Sequence, residues 1–522
     1  MTVRSQLHHL VRSSADRQGD TPALSFGDTT LTYTELWKQI LTVGAGLQQL
    51  GLRRDERVAI YLDKRIETVY AIFGTSAAGG VFVPINPLLR ARQVGYIATD
   101  CDARVLVTTP ERYKTLRDDL DKAKSVEHVV LVGEAEVDGP PTGHRISRWS
   151  DLTSGTTPHD TGVIDTDMAA ILYTSGSTGS PKGVVLSHRN MLAGAESVSS
   201  YLDNGPNDVI LAALPLSFDA GFSQLTTAFS SGAHVVLLNY LLPADVVKAC
   251  AKHGVTGVTC VPPLWIQIAE QTWPDDVAGR IRYFANTGGR MPKATLDRLR
   301  GLFPAASPFL MYGLTEAFRS TYLDPAQVDT RPDSIGKAIP NAEILVVRPD
   351  GTECDPGEEG ELVHRGALVA LGYWNDPERT AVRFRPAPGR ADGLCATELA
   401  VWSGDAVVRD EQGFLYFVGR KDEMIKTSGY RVSPTEIEEV VYDTGLVRDA
   451  AAFGVADAKL GQAVVLAVSA REGQQVDESA LVAALRKQLP LYMLPRQVMV
   501  RPELPRSPNG KFDRNALREE LS

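Results

Sequence analysis

The chain has 522 residues, of which 43% are hydrophobic and 23% are charged, and its formal net charge is −10. This length has room for about two to four domains of ordinary size, and the composition excludes a fibre or a disordered tail. The acidic balance argues against broad binding to nucleic acid or to an anionic membrane, both of which require a basic surface.

The cysteines and the apolar runs further restrict the class of protein that this sequence can form. The five cysteines lie far apart and include no Cys-x-x-Cys pair, so we expect neither a disulfide framework nor a zinc knuckle. We interpret them as mostly buried apolar side chains in a reducing cytoplasm. The first 20 residues have no apolar signal core, and no run reaches the roughly 18 apolar residues that a membrane-spanning helix requires. We therefore expect a cytoplasmic protein without a membrane span.

The opening segment predicts a helix, a strand and a second helix. Thr32 followed by Glu35 is a capping-box pattern, and the apolar run behind it ends at Gly51. Beyond it, helical stretches alternate with short apolar runs, namely VFVPIN, RVLVTT, HVVLVG, AAILYT, HVVLLN and GVTCVPP. This alternation predicts parallel sheets covered by helices. Residues 137–160 are rich in Gly, Pro, Ser and Thr and predict an exposed connection.

The pattern changes near Gly419. The segment SPTE at 433–436 predicts a helix start, with a cap, a proline in the first turn and a glutamate three residues after the cap. A strand pair (AAFGV and AVVLAV), a helix capped by Asp477 and a strand near Val498 are predicted to follow.

We predict an α/β protein of two domains. A large N-terminal domain with several subdomains, built on parallel sheets covered by helices, is expected over residues 1–419. A hinge is expected at 420–422, and a small mobile α+β domain at 423–522.

The most informative segment is the loop YTSGSTGSPKG at 173–183, which is rich in glycine and hydroxyl groups. Small residues let backbone N–H groups approach an anion closely, and the hydroxyls and one lysine add donors and a positive charge. The loop follows an apolar strand and precedes a helix that Ser187 is predicted to cap, which favours a phosphate site over a flexible linker. A Walker loop does not match, because Ser180 and Pro181 separate Gly179 from Lys182.

This loop resembles the phosphate loop of the adenylate-forming superfamily, which includes acyl-CoA synthetases, peptide-synthetase adenylation domains and luciferases. Five further segments resemble that family's motifs in the family's order: TGGR at 287–290, YGLTE at 312–316, SGD at 403–405, GRKDEMIKTSGYRVSPTEIE at 419–438 and PRSPNGKFDR at 505–514. The resemblance spans nearly the whole chain. Within the superfamily, the chain looks similar to stand-alone bacterial ligases, among them acyl-CoA ligases of exosortase systems and enzymes that load amino acids onto carrier proteins.

The resemblance implies that ATP activates a carboxylic acid as an acyl-adenylate with release of pyrophosphate. The acyl group then passes to a thiol, either of CoA or of carrier-protein phosphopantetheine. The implied phosphate contacts are Thr174, Ser175, Gly176, Ser177, Thr178, Gly179 and Lys182. The other implied nucleotide contacts are Gly288, Gly289, Arg290, Tyr312, Gly313, Asp405 and Arg420, with Tyr312 on the adenine ring and Asp405 on the ribose.

The same resemblance assigns the catalytic roles. Glu316 is the implied Mg²⁺ ligand, Thr315 an α-phosphate contact and Lys511 the catalytic lysine. A long flexible ammonium can stabilise charge on both the carboxylate and the α-phosphate. Asp422 is the implied hinge residue between two poses of the small domain. One pose brings Lys511 to the phosphates, and the other presents Lys426 and Gly429 near a thiol channel.

By resemblance, the acyl pocket includes Phe218 and Asp219. Amino-acid-activating relatives carry Phe-Asp there, with the aspartate on the substrate ammonium, and a buried carboxylate is costly without such a partner. A helix cap is the alternative interpretation of Asp219. Phe318 is expected to line the pocket, and Arg319 to line it or to tie down a loop.

The leading hypothesis, an ATP-dependent acid–thiol ligase, has three alternatives. An adenylate-forming enzyme without a thioester step makes an amide, or activates an oxyanion such as nitrite for diazotisation. A non-catalytic binding protein is disfavoured because Lys182, Glu316, Asp405 and Lys511 are all present, and a P-loop NTPase is disfavoured by the loop spacing.

The expected partners are a carboxylic or amino acid and, where a carrier is used, a separate carrier protein, because only eleven residues follow Lys511. Nucleic acid is not expected as a partner. A homodimer stays open by analogy with relatives.

Overall fold

The computed structural model describes residues 4–134, 143–153, 157–174, 181–389, 393, 395–420, 424–471, 474–505 and 512–521, except for the side chains of Arg420 and Thr435. The chain divides into two compact units. The larger unit comprises Met1–Pro87, Gly95–Tyr173 and Gly183–Gly419, and the smaller comprises Leu88–Val94, Thr174–Lys182 and Arg420–Ser522.

The helices of the described residues are α1 His9–Gln18, α2 Tyr33–Gln49, α3 Ile66–Ala77, α4 Ala91–Asp100, α5 Pro110–Leu120, α6 Trp149–Leu152, α7 His188–Tyr201, α8 Asp219–Ser231, α9 Pro243–His253, α10 Pro262–Ala269, α11 Asp275–Ala278, α12 Lys293–Leu302, α13 Pro377–Arg383, α14 Pro434–Asp443, α15 Glu478–Gln488 and α16 Arg514–Glu519. Short 3₁₀ turns add Thr315–Ala317, Pro325–Gln327 and Leu491–Met493.

The strands of the described residues are β1 Pro22–Phe26, β2 Thr29–Thr32, β3 Arg57–Tyr61, β4 Val81–Pro84, β5 Ala103–Thr108, β6 His128–Leu131, β7 Arg145–Arg148, β8 Met168–Thr174, β9 Lys182–Ser187, β10 Val209–Ala212, β11 His234–Leu237, β12 Gly257–Cys260, β13 Tyr283–Asn286, β14 Ser307–Tyr312, β15 Thr321–Leu323, β16 Ser334–Ala338, β17 Ala342–Val347, β18 Glu359–Gly366, β19 Gly372–Tyr373, β20 Phe384–Pro386, β21 Leu399–Arg409, β22 Leu415–Arg420, β23 Ile425–Thr427, β24 Tyr430–Val432, β25 Asp449–Asp457, β26 Gly461–Ser469 and β27 Gln497–Arg501.

Two sheets organise the larger unit, and each combines a run of parallel strands with antiparallel strands, which in the larger sheet extend from β14 to β17. Within the described residues, one sheet has fourteen strands in the order β17-β18-β21-β22-β16-β15-β14-β13-β12-β10-β11-β1-β2, with β20 beside β21, and the other has eight in the order β19-β9-β8-β4-β3-β5-β6-β7. The central pairs are parallel, for example β12 with β13 and β3 with β5. Strands of this kind are buried on both faces, which is why the apolar runs are continuous rather than alternating. The predicted mixed α/β fold with helix-covered parallel sheets is confirmed.

The smaller unit is an α+β arrangement. Its five-stranded sheet, counted over described residues, runs β24-β23-β26-β25, with β27 beside β26. β25 and β26 form the predicted strand pair, which is antiparallel, and Asp477 caps α15 as predicted.

Local capping signals also behave as predicted. Thr32 and Glu35 form a reciprocal capping box at the start of α2, and Ser187 caps α7. Ser433 accepts from the backbone N–H of Glu436 at the start of α14. Each cap satisfies backbone donors that the first helical turn leaves unpaired, so the signal is encoded in a few adjacent residues.

The connection at 137–160 is more structured than expected. It contains β7, which pairs in parallel with β6, and the short helix α6. Leu152 of α6 is buried and approaches Gly46 of α2, which explains why this polar segment is held against the core.

Four of the cysteines are buried and Cys395 is exposed. Within the described part of the chain, every helix is too short or too polar to span a bilayer.

An aromatic contact links the two large sheets through α8. This helix contacts β10 and β11 of the fourteen-stranded sheet. Its Phe222 is fully buried, with its ring centroid 5.1 Å from that of Phe82 on β4 and 6.2 Å from that of Phe73 on α3.

We predict that Phe222→Ala lowers the free energy of unfolding of the larger unit by about 3–5 kcal/mol, because it removes apolar burial and leaves a cavity. Guanidinium unfolding followed by circular dichroism measures the change. Leu241→Ala is the control, because Leu241 is 92% exposed and its truncation should change stability by less than about 0.5 kcal/mol. Equal losses in the two variants would contradict this account of the core.

Candidate functional site

The structure brings Tyr312 and Asp405 together. Tyr312 is the last residue of β14, Asp405 lies in β21, and the Tyr312 hydroxyl donates to Asp405 Oδ2. The backbone N–H of Asp405 donates to Ser403 Oγ at 3.1 Å. Asp405 is buried, and a buried carboxylate needs a donor such as the Tyr312 hydroxyl to offset its lost hydration. Two residues that the sequence placed in separate motifs therefore form one hydrogen-bonded pair.

A second carboxylate is held in a similar way. Glu316 lies in the 3₁₀ turn that follows β14 and is only 2% exposed. The hydroxyl of Tyr373, on β19, donates to Glu316 Oε1 at 2.6 Å. Burial raises the pKa of Tyr373 far above its ordinary value, so the hydroxyl keeps its proton and remains a donor. Tyr373 was not identified from the sequence, because one tyrosine after a short glycine-containing strand carries no signal of its own.

Arg383 is the second residue of this site, after Tyr373, that was not identified from the sequence. It is the last residue of α13, and its Nη1 donates to the carbonyl oxygen of Trp402 at 2.7 Å. Burial opposes its charge, but Glu316, Tyr373 and Asp405 together raise its pKa above the ordinary value. A guanidinium therefore lies in the field of both carboxylates.

The residue before Asp405 allows this approach. Gly404 has φ +70°, and a Cβ there would lie 3.2 Å from Arg383 Nη1. A side chain at position 404 would be strained and would crowd the guanidinium.

The TGGR segment follows β13. Asn286 donates from Nδ2 to the carbonyl oxygen of Gly289 at 2.8 Å, which fixes the turn that contains Gly288. Arg290 is exposed and forms an ion pair with Asp333. Its predicted contact with nucleotide stays a prediction.

Asp219 has a cationic partner within the chain. It is the first residue of α8, and its Oδ2 lies 3.7 Å from Arg319 Nη1. Thr315 Oγ1 donates to Asp219 Oδ1 at 3.5 Å, a weak contact. Burial raises the pKa of Asp219 above its usual range, and Arg319 opposes that rise.

Phe318 is packed in the core rather than facing an open surface. Phe318 is 1% exposed and packs in a hydrophobic cluster with Ile339 and Leu368. A Cβ at Gly194 would lie 2.6 Å from the ring, so α7 must present a glycine there. The structure gives Phe318 a packing role, and its predicted contact with substrate stays a prediction.

Four further predicted residues belong to the smaller unit. Thr174 ends β8 and Lys182 begins β9. Thr174 Oγ1 is buried and has no hydrogen-bond partner among the described residues. Lys426 lies in β23, where its backbone N–H donates to Gln462 Oε1 at 2.7 Å, and Gly429 lies in the turn before β24.

Several predicted residues lie outside the described part of the chain. These are Ser175, Gly176, Ser177, Thr178, Gly179, Asp422 and Lys511, together with the side chain of Arg420.

The described residues contain no group of three or more His, Cys, Asp or Glu side chains arranged to hold a metal ion. A Mg²⁺ site that uses one carboxylate is compatible with this finding, because Mg²⁺ commonly takes one or two carboxylates and completes its shell with phosphate oxygens and water. Glu316 has the required chemistry.

Comparisons with known proteins identify the family to which the chain is similar. Residues 11–374 match the family described as AMP-binding enzyme, and residues 436–511 match the AMP-binding enzyme C-terminal domain. The chain is 32% identical to a long-chain-fatty-acid–CoA ligase of Salmonella typhimurium, over 98% of this chain and 94% of that protein. It is 31% identical to an L-proline–[L-prolyl-carrier protein] ligase of Streptomyces coelicolor, over 97% of this chain and 95% of that protein.

The fold is also similar to that of a solved enzyme. An amide bond synthetase from Marinactinospora thermotolerans superposes with a TM-score of 0.83 and 25% identity, over 98% of this chain and 99% of that chain.

A buried histidine beside this site makes stability depend on pH. His364 on β18 is fully buried, and its Nδ1 lies 2.9 Å from Ser320 Oγ. Ser320 directly follows Arg319 in the sequence. Burial lowers the pKa of His364 from 6.5 to about 3. Between those values the unfolded chain binds a proton that the folded chain does not, so stability is lost as the pH falls.

We predict that His364→Asn reduces the loss of unfolding free energy between about pH 7 and about pH 5 by about 2 kcal/mol. The asparagine keeps a polar group near Ser320 but cannot take up the proton. Denaturant unfolding at the two pH values measures the difference. His159→Asn, at an exposed position, is the control, and identical pH dependence in all three proteins would show that His364 is not the titrating group.

Proposed function

The chain belongs to the family of AMP-binding enzymes, and on that premise we propose that it is an ATP-dependent acid–thiol ligase. A carboxylate oxygen of the substrate attacks the α-phosphorus of ATP, the bond to the bridging oxygen breaks, and pyrophosphate leaves. A thiol of CoA or of carrier-protein phosphopantetheine then loses its proton and attacks the acyl carbon, and AMP leaves. The observation that carries the proposal is the presence of two buried carboxylates, Asp405 held by Tyr312 and Glu316 held by Tyr373, in the motifs that the resemblance assigns to ribose and metal.

The chain's own groups suit each part of the nucleotide. Asp405 is proposed to accept from the ribose hydroxyls, and Tyr312 to pack on the adenine beside Gly288 and Gly289. Thr174 Oγ1, which has no hydrogen-bond partner among the residues that the structure describes, supports a phosphate contact, because a buried hydroxyl without a partner is costly until a ligand completes it. Lys182 is proposed to add a positive charge there, with residues 175–179, and Arg420 to support the ribose or the phosphates.

Two anions have to meet in the first step, so cationic stabilisation should dominate the catalysis. Glu316 is the proposed Mg²⁺ ligand, and the ion would supply positive charge at the phosphates. Thr315 is proposed to contact the α-phosphate, and Lys511 to stabilise the developing charge on the reacting oxygens. Asp422 is proposed as the hinge residue. Lys426 and Gly429 are proposed to serve the thiol step.

The acceptor distinguishes a second candidate function. The structural similarity to an amide bond synthetase favours an amine as the alternative nucleophile. Both functions share the first half-reaction and differ only in the atom that attacks the acyl carbon. Parallel incubations with CoA, a phosphopantetheinylated carrier protein and a simple amine therefore separate them.

We predict that the purified protein exchanges labelled pyrophosphate into ATP in the presence of at least one acid from a broad carboxylic-acid panel. Glu316→Gln should lower that rate by about 10²–10³-fold, as expected for losing one electrostatic stabiliser of the transition state. Glu343→Gln, at an exposed ion pair with Arg365, is the matched control and should keep the wild-type rate. Exchange that is equally fast in Glu316→Gln and the wild type would contradict the role of Glu316.

We also predict that Lys511→Ala loses about 10²–10³-fold in adenylate formation. The variant should keep thioester formation from a supplied acyl-adenylate within a few-fold of wild type. Lys487→Ala, at the exposed end of α15, controls for the loss of a lysine in the same part of the chain. Equal loss of both half-reactions would remove Lys511 from its assigned role.

A further inference from the structure

Asp219 and Arg319 form a buried ion pair within the larger unit. Their side chains are 15% and 3% exposed, and Asp219 Oδ2 lies 3.7 Å from Arg319 Nη1. Among the described residues, Asp219 is the acidic side chain within ion-pair distance of Arg319. The carboxylate is the more exposed partner of the two.

A strained turn positions the arginine. Phe318 has φ +56° and ψ −61°, and the backbone N–H of Arg319 donates to the carbonyl oxygen of Ala317 at 2.6 Å. These values define a γ-turn of the uncommon, strained kind. Such strain persists only where surrounding contacts hold it, and it concentrates at functional sites. Here the turn buries the Phe318 ring and directs Arg319 toward Thr287, whose Oγ1 accepts from Nη1 at 3.0 Å.

The burial of Arg319 constrains what Asp219 can bind. An uncompensated buried charge costs several kcal/mol, so Arg319 needs the Asp219 carboxylate to stay ionised beside it. A substrate ammonium placed at Asp219 would put two cations on one carboxylate.

The pair also serves the reacting group. An isolated carboxylate at position 219 would repel the substrate carboxylate that has to reach the α-phosphorus. Paired with Arg319, it contributes almost no net charge at the pocket.

We propose that Arg319 neutralises Asp219 from within the protein, and that the enzyme thereby selects acids that carry no ammonium group beside the reacting carboxyl. This inference rests on the proposed function and narrows its substrate class. In this proposal Asp219 does not bind a substrate ammonium, which is the role that the resemblance implies for it. Instead, Asp219 and Arg319 together line an acyl pocket that accepts uncharged chains.

Matched substrate pairs test the selectivity of the wild-type protein. The acids are 3-phenylpropionate with phenylalanine, 4-methylpentanoate with leucine, and butyrate with 3-aminobutyrate. For every pair that supports pyrophosphate exchange, the ammonium-free acid should have the higher kcat/KM by at least about tenfold, equivalent to about 1.4 kcal/mol.

Charge variants test whether Arg319 sets that preference. Arg319→Met should shift the kcat/KM ratio toward the ammonium-bearing acid by at least about tenfold, because Asp219 then lacks its internal cation. The double variant Asp219→Asn with Arg319→Met should restore the preference for the ammonium-free acid. Arg319→Lys keeps the charge and should keep the wild-type ratio. Arg300→Met, which removes an exposed arginine paired with Asp329, is the matched control.

The outcomes separate the two proposals. A wild-type protein that exchanges pyrophosphate but favours the ammonium-bearing acids overturns the inference and leaves the proposed function intact. A wild-type protein that exchanges pyrophosphate with no acid overturns the proposed function and the inference with it. Folded Arg319→Met with an unchanged ratio also overturns the inference. If Arg319→Met fails to fold, the wild-type ratio and its retention in Arg319→Lys decide the question.

Discussion

Buried charge has to be compensated inside the protein, and this constraint organises the candidate site. Asp405 and Glu316 are almost inaccessible to water, and each accepts a hydrogen bond from a tyrosine hydroxyl. Removing one of these tyrosine hydroxyls leaves a buried carboxylate short of a hydrogen bond, at a cost of about 1–3 kcal/mol. In the proposed function, Asp405 accepts from the ribose hydroxyls of the nucleotide and Glu316 would hold Mg²⁺. The same constraint ties Asp219 to Arg319.

The fold brings these groups together along one sheet. β14 ends at Tyr312, the 3₁₀ turn after it carries Glu316, and the next turn carries Arg319. β21, which carries Asp405, belongs to the same fourteen-stranded sheet in the described chain. The strands therefore position Tyr312 and Asp405, while the short turns after β14 position Glu316 and Arg319. This division favours precise positioning of charged groups, on which electrostatic catalysis depends.

Features of this protein that depend on adjacent residues, or on the order of motifs along the chain, can be predicted from its sequence. The caps at Thr32, Ser187 and Ser433 depend on a few adjacent residues, and the parallel sheets follow from alternating apolar runs. The fold class and the adenylate-forming family follow from six motifs in a fixed order. The residues that interact with those motifs could not be predicted, because Tyr373 and Arg383 approach Glu316 only after distant segments of the chain fold together. The γ-turn at Phe318 is equally hidden, since nothing in the local sequence requires a phenylalanine at positive φ.

The central claim is that a carboxylate oxygen of the substrate becomes bonded to the α-phosphorus of ATP. Incubating the enzyme with ATP, an acceptor thiol and an acid labelled with oxygen-18 in its carboxyl group measures this directly, because the label follows the bond that breaks. Mass spectrometry of the nucleotide should show one labelled oxygen in AMP and none in pyrophosphate. Labelled orthophosphate formed together with ADP would show that the acid attacks the γ-phosphorus instead, and the adenylate account would then be wrong.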